Sequence, residues 1–297
     1  MKCDLCPRKC LVDRKKGEKG ICGQTENLKV ARAALHFWEE PCISGDAGSG
    51  AVFFSGCPLH CVFCQNENIA NGTVGKEISL ERLVDIFLEL QEKRANNINL
   101  VTPGHFVPQI VKALDQARKE GLTLPVVYNT SSYETVDTIK MLEGYVDIYL
   151  PDFKYMSPVL SKKYSHAPDY AEVAKAAIAE MVRQTGKAVF VNGDEDNLIL
   201  SGTIVRHLTL PGCMADSMQI VKYLHDTYGD KIYISIMNQF TPLSNLEKYP
   251  ELNRRITDKE YETLVDYAID IGIENGFIQE GDTAEESFIP AFDCEGV

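Results

Sequence analysis

From residue 51 onward, short runs of β-branched and aromatic residues alternate with segments whose apolar side chains recur at helical spacing, and this alternation constrains the fold most. Strands are expected at Ala51–Ser55, Ile98–Val101, Pro125–Tyr128, Val146–Leu150, Ile204–Leu210 and Ile232–Ile236. Helices are expected at Ser79–Arg94, Pro108–Lys119, Glu134–Leu142, Tyr170–Thr185, Asp216–Thr227 and Asp258–Ile271. The first of these shows the pattern plainly, with Ser79 as N-cap and apolar residues at Leu80, Leu83, Ile86, Phe87 and Leu90. Strand–helix–strand units join parallel strands through right-handed crossovers. Six or seven of them wrap into a partial or full parallel (β/α) barrel, an α/β fold whose active site lies at the C-terminal ends of the strands. The residues just after each strand are therefore the ones that carry information about function.

Ten cysteines are distributed unevenly: Cys3, Cys6, Cys10, Cys22, Cys42, Cys57, Cys61 and Cys64 precede residue 65, and Cys213 and Cys294 stand alone. No stretch approaches the roughly 20 apolar residues that span a bilayer. The N-terminus, Met1-Lys2-Cys3-Asp4-Leu5-Cys6, has no apolar signal core, which gives a cytoplasmic expectation. In a reducing compartment, clustered cysteines bind metal or do chemistry more often than they form disulfides. Forty-three acidic against 30 basic residues give a formal charge of −13, which weighs against nucleic-acid and anionic-membrane partners.

The first expected barrel strand runs into Gly56-Cys57-Pro58-Leu59-His60-Cys61-Val62-Phe63-Cys64, a C-x3-C-x2-C loop. Three thiolates this close converge on a metal centre. A structural [4Fe–4S] cluster takes four thiolates, one per iron, so three leave one iron open to substrate. The alternatives are a zinc site completed by His60 or a remote ligand, and three unrelated buried thiols.

This loop, with its aromatic residue just before the third cysteine, resembles the signature of the radical S-adenosylmethionine (SAM) superfamily. The wider resemblance is to the pyruvate formate-lyase activating enzymes, and most closely to a PflX-like branch. It runs through the segments CDLCPRKC, VFFSGC, NINLVTP, VVYNTSSY, VDIYLPDFKY, RHLTLPG and ISIMNQFTP. It implies a [4Fe–4S] cluster on Cys57, Cys61 and Cys64 whose open iron chelates the amino and carboxylate groups of SAM. It also implies reductive cleavage of SAM to methionine and a 5′-deoxyadenosyl radical that abstracts hydrogen from substrate. The implied reductant is of the flavodoxin or ferredoxin kind. The substrate, a glycyl radical enzyme to be activated or a small molecule, is left open.

The other strand ends supply cofactor-binding candidates. After Val101 comes Thr102-Pro103-Gly104-His105, where many members of the family carry a Gly-Gly-Glu-like turn. That glutamate has no counterpart here, which leaves the backbone around Thr102 as acceptor, and His105 as either a ligand contact or a surface residue. After Tyr128 comes Asn129-Thr130-Ser131-Ser132, with Asn129 a ligand contact and a serine serving as helix cap. Asp152 and Lys154 share one face of an extended segment and resemble the Asp-x-Lys of the activating enzymes. Of Arg206 and His207, adjacent on one strand, at most one faces the barrel interior directly. Gln239 is a weaker candidate of the same kind.

Residues 1–50 read as a cysteine-rich metal-binding segment and linker, and residues 51–297 as the barrel domain. Cys3, Cys6, Cys10 and Cys22 offer four thiolates in a segment too small to bury a core, so a second metal centre, zinc or iron–sulfur, is expected there. Residues 65–78 are too short to hold the two extra clusters that some activating enzymes insert after the SAM motif. The competing function class is a non-catalytic zinc or iron–sulfur regulatory protein on the same scaffold.

Overall fold

A computed structural model describes residues 2–193, 197–243, 246–279 and 290–297. Ten strands form among them: β1 (Leu28–His36), β2 (Ser49–Phe54), β3 (Lys76–Ile78), β4 (Ile98–Val101), β5 (Val126–Thr130), β6 (Ile148–Pro151), β7 (Val189–Phe190), β8 (Ile199–Leu208), β9 (Tyr233–Met237) and β10 (Gly276–Ile278). The sheet order is β10-β9-β8-β6-β5-β4-β2-β1-β3, with β7 paired to β8. Every neighbour from β2 through β10 along that path is parallel. Strands β1 and β3 run antiparallel at the other end. The path ends at β10 and β3, so the α/β fold is a partial parallel barrel.

Helices Leu80–Glu92 and Val107–Lys119 cover one part of the outer face, packing Leu83, Phe87, Ile110 and Leu114 against Val52, Leu100 and Tyr128. Helices Tyr170–Thr185, Met214–Tyr228 and Asp258–Asp270 cover the other part through Ile178, Leu224 and Leu264, in one core cluster with Val205 of β8. Strands buried on both faces read as continuous apolar runs, which is why the parallel strands were legible. The expected helix Glu134–Leu142 is shorter, Val136–Lys140, because Thr135 caps it and Glu134 turns inward. Helix Pro158–Ser165, capped by Ser157, was not anticipated.

Residues 26–50, read as a linker, contain the nine-residue strand β1, which pairs along β2 from Val30 to His36. A register shift between Val30 and Arg32 breaks the two-residue alternation that would have marked it. Its outer edge also takes the C-terminal tail: Cys294 N–H donates to the Ala31 carbonyl, and Ala33 N–H to that of Glu295. The chain after β1 then enters the barrel and brings Glu39 and Glu40, both nearly buried, to its interior.

Candidate active site

A cavity of about 260 Å³ opens at the C-terminal ends of the barrel strands, lined by all three cysteines of the C-x3-C-x2-C loop. Strand β2 ends at Phe54, and Gly56 turns the chain at a φ of +94°. A side chain at Gly56 would collide with the Cys22 carbonyl, so both conformation and space require glycine there. The loop is pinned by Val62 N–H donating to the Tyr164 carbonyl at 2.9 Å and Cys64 N–H to that of Cys61 at 3.1 Å. Phe63 anchors it by edge contacts with Tyr155, Tyr164 and Phe240, which gives the aromatic residue of the motif a mechanical role.

Ser165 donates to Cys61 Sγ at 3.0 Å. Burial pushes the Cys57 thiol up to about 11 and raises Cys61 and Cys64 as well, while the Lys154 ammonium pulls all three the other way. Such thiols ionise readily only when a strong cation sits among them, as iron does. Among the described residues, no three His, Cys, Asp or Glu side chains converge on a point suited to a single metal ion. A cubane takes one thiolate at each iron, so its ligands need not share a point. Three soft donors on one loop, half-buried beside a cation and open to a cavity, fit a [4Fe–4S] cluster better than zinc.

The opposite wall is one ionic network centred on Arg206. Its Nε donates to Asp152 Oδ1 at 3.0 Å, Nη1 to Glu39 Oε2 at 3.0 Å and Nη2 to Asn129 Oδ1 at 2.6 Å. Asn129 and Asn99 each donate an amide proton to Glu39 Oε1 at 3.1 Å. Lys154 Nζ donates to Asp152 Oδ2 at 2.6 Å. Burial alone would raise the Asp152 carboxyl, but Lys154 and Arg206 outweigh it and hold the group below its usual range. Two cations thus face two carboxylates, and the network is neutral without solvent. Tyr170 fixes the Asp152–Lys154 segment by donating to the Asp152 carbonyl and accepting from Lys154 N–H.

Of the residues read from the sequence, Thr102, Asn129, Asp152, Lys154, Arg206 and Gln239 all line this cavity. Thr102 does so at a φ of +56°, a left-handed conformation unusual for a β-branched residue, at the position where the resembling family favours glycine. His207 is on the other face. Its Nδ1 donates to the Phe153 carbonyl, its Nε2 pairs with Ser217 Oγ, and burial lowers it to about 4, so it is a neutral structural residue. His105 is neither a surface residue nor a cavity wall: it is buried and donates to the Ser55 carbonyl at 2.7 Å.

Glu39 was missed. The only hint was a pair of carboxylates, Glu39-Glu40, in the otherwise uncharged stretch from residue 33 to 45. Glu134 was read as the start of a helix. It is buried between β5 and the loop after β4, accepts from Thr130 and Tyr128, and burial raises it to about 7. No helix among the described residues is long and apolar enough to cross a membrane.

Residues 51–197 match the Radical SAM superfamily. An uncharacterised protein of Methanocaldococcus jannaschii is 27% identical over 272 residues, spanning 90% of this chain and 74% of that protein. Among solved structures, SuiB of Streptococcus suis bound to S-adenosylmethionine aligns with a TM-score of 0.52 at 13% identity, over 80% of this chain and 51% of that one. HydG, a maturase of the [FeFe]-hydrogenase, aligns with a TM-score of 0.51 at 15% identity, over 78% and 52%. At these identities the two structures show the shared fold, and this chain spans about half the length of each.

Proposed function

From the radical SAM domain that this chain carries, we propose an enzyme that reductively cleaves SAM at a [4Fe–4S] cluster held by Cys57, Cys61 and Cys64, producing a 5′-deoxyadenosyl radical that abstracts hydrogen from a substrate. The observation that carries this reading is the cavity itself, in which three thiols of one loop face the ionic wall of Asp152, Lys154 and Arg206. When bound, the reduced cluster supplies the electron that breaks a carbon–sulfur bond of SAM.

The chain's own residues bind and orient. Lys154 carries a compact positive charge next to the cysteine loop, suited to a carboxylate, and Asp152 holds it there. The Thr102 backbone, bent away from strand geometry, offers its carbonyl to an amino group where the family's glutamate is lacking. Arg206 has its nitrogens committed to Asp152, Glu39 and Asn129, so it positions those groups. The resemblance to activating enzymes makes a glycine on a partner protein the first substrate to test, with small molecules second. A flavodoxin or ferredoxin would serve as electron donor.

The test incubates anaerobically reconstituted, reduced protein with SAM and deuterated candidate substrates. Deuterium in 5′-deoxyadenosine identifies the hydrogen donor. Bound SAM that stays intact under reduction would instead establish the non-catalytic alternative.

A further inference from the structure

The N-terminal segment packs on the very loop that carries Cys57, Cys61 and Cys64. Arg8 donates to the carbonyls of Pro58 at 2.9 Å, Ser165 at 3.0 Å and His166 at 2.6 Å, and stacks over Tyr133 at 5.1 Å. His60 Nε2 donates to the Ile21 carbonyl at 2.7 Å, and the Cys22 carbonyl abuts Gly56. Within the segment Arg14 is buried and donates to the Thr25 and His105 carbonyls, but apolar burial is slight. Cys22 is its one buried apolar residue, its helical content is a single turn at Arg14–Lys16, and Leu11 and Ile21 are about half exposed.

Its backbone nevertheless gathers four thiols. Cys3 pairs with the chain opposite, its N–H donating to the Val12 carbonyl at 2.9 Å and its carbonyl accepting from Leu11 N–H at 3.0 Å. A turn from Cys6 to Lys9 closes the loop between them. Cys10 and Cys22 flank Gly20 so closely that a β-carbon there would lie 3.4 Å from one sulfur and 3.6 Å from the other. Ile21 N–H donates to Cys10 Sγ at 3.2 Å.

Two further facts bear on what would hold them. Lys9 and Leu11, on either side of Cys10, adopt left-handed conformations at φ of +42° and +55°. Each costs roughly 1–3 kcal/mol unless the surroundings impose it, and apolar burial here is too small to do so. Among the described residues, no three His, Cys, Asp or Glu side chains, these thiols included, are placed to hold a single metal ion. Zinc–sulfur bonds of about 2.3 Å would draw tetrahedral sulfurs to within roughly 4 Å of one another. A cubane spreads its thiolates over four irons. The Cys57, Cys61 and Cys64 set is gathered without convergence in the same way.

We propose that Cys3, Cys6, Cys10 and Cys22 ligate a second [4Fe–4S] cluster, built directly against the loop of the first. With four thiolates it has no open iron and does not bind SAM. The test is metal and sulfide analysis with electron paramagnetic resonance on anaerobically purified protein carrying Cys57→Ala, Cys61→Ala and Cys64→Ala. About four irons and four sulfides per chain are expected, with a spectrum that SAM leaves unchanged. One zinc per chain, or neither metal, overturns the proposal. Should that variant fail to fold, Cys3→Ser, Cys6→Ser, Cys10→Ser and Cys22→Ser together should lower iron from about eight to about four per chain, and undiminished iron overturns it equally. These counts do not depend on SAM cleavage, so this inference and the proposed function fail separately.

Discussion

Replacing Arg206 with leucine tests whether the cavity wall is one coupled unit. The side chain is 12% exposed and faces Glu39 at 8% and Asp152 at 19%, so its removal strands two carboxylates in a largely dry site. Removing one partner from a buried ion pair destabilises by about 3–5 kcal/mol. Here the residual partners soften the loss: Glu39 keeps the amides of Asn99 and Asn129, and Asp152 keeps Lys154. The lower end, about 3 kcal/mol, is the expected value. At about 2–4 °C per kcal/mol for chains approaching this size, Tm falls by about 6 °C or more. Urea unfolding of metal-loaded protein measures it. Adding Glu39→Gln to Arg206→Leu removes one stranded charge and should return about 1 kcal/mol or more, a coupling read from the double-mutant cycle. A loss below about 1 kcal/mol for Arg206→Leu, or simple additivity of the two changes, would refute the coupled network.

Asp152→Ala and Lys154→Ala should each weaken SAM binding about tenfold or more, equivalent to about 1.4 kcal/mol, with iron content unchanged; near-wild-type affinity retires their role. Gly104→Ala drives a methyl group into the Glu134 carboxylate and should cost about 1–3 kcal/mol, partly restored by Glu134→Ala; no loss means that the loop yields freely. Glu134, raised from 4.5 to about 7, favours its neutral form in the folded state, so the folded protein binds the extra proton. Stability from this group is present below the unfolded value and lost as pH rises to about 7. Glu134→Gln should therefore gain about 3 kcal/mol at pH 8 and little at pH 4.5; an identical pH dependence in the two proteins contradicts this.

The parallel strands and their covering helices were legible because both faces of each strand are buried, which leaves unbroken apolar runs between amphipathic segments. The cysteine loop was legible because metal chemistry dictates residue type and spacing together. The choice between Arg206 and His207 was not, since alternation says that two neighbours face opposite ways and only the register with β6 says which faces in. Glu39 was hidden for a different reason. It follows almost directly on β1, whose alanine-rich sequence and bulge conceal a strand.

The most direct test of the central claim is SAM cleavage by reduced, reconstituted protein beside its Cys57→Ala, Cys61→Ala, Cys64→Ala variant, followed as 5′-deoxyadenosine. The account predicts steady formation by the wild type and none by the variant. Undiminished cleavage by the variant would contradict the assignment of the cluster to this loop.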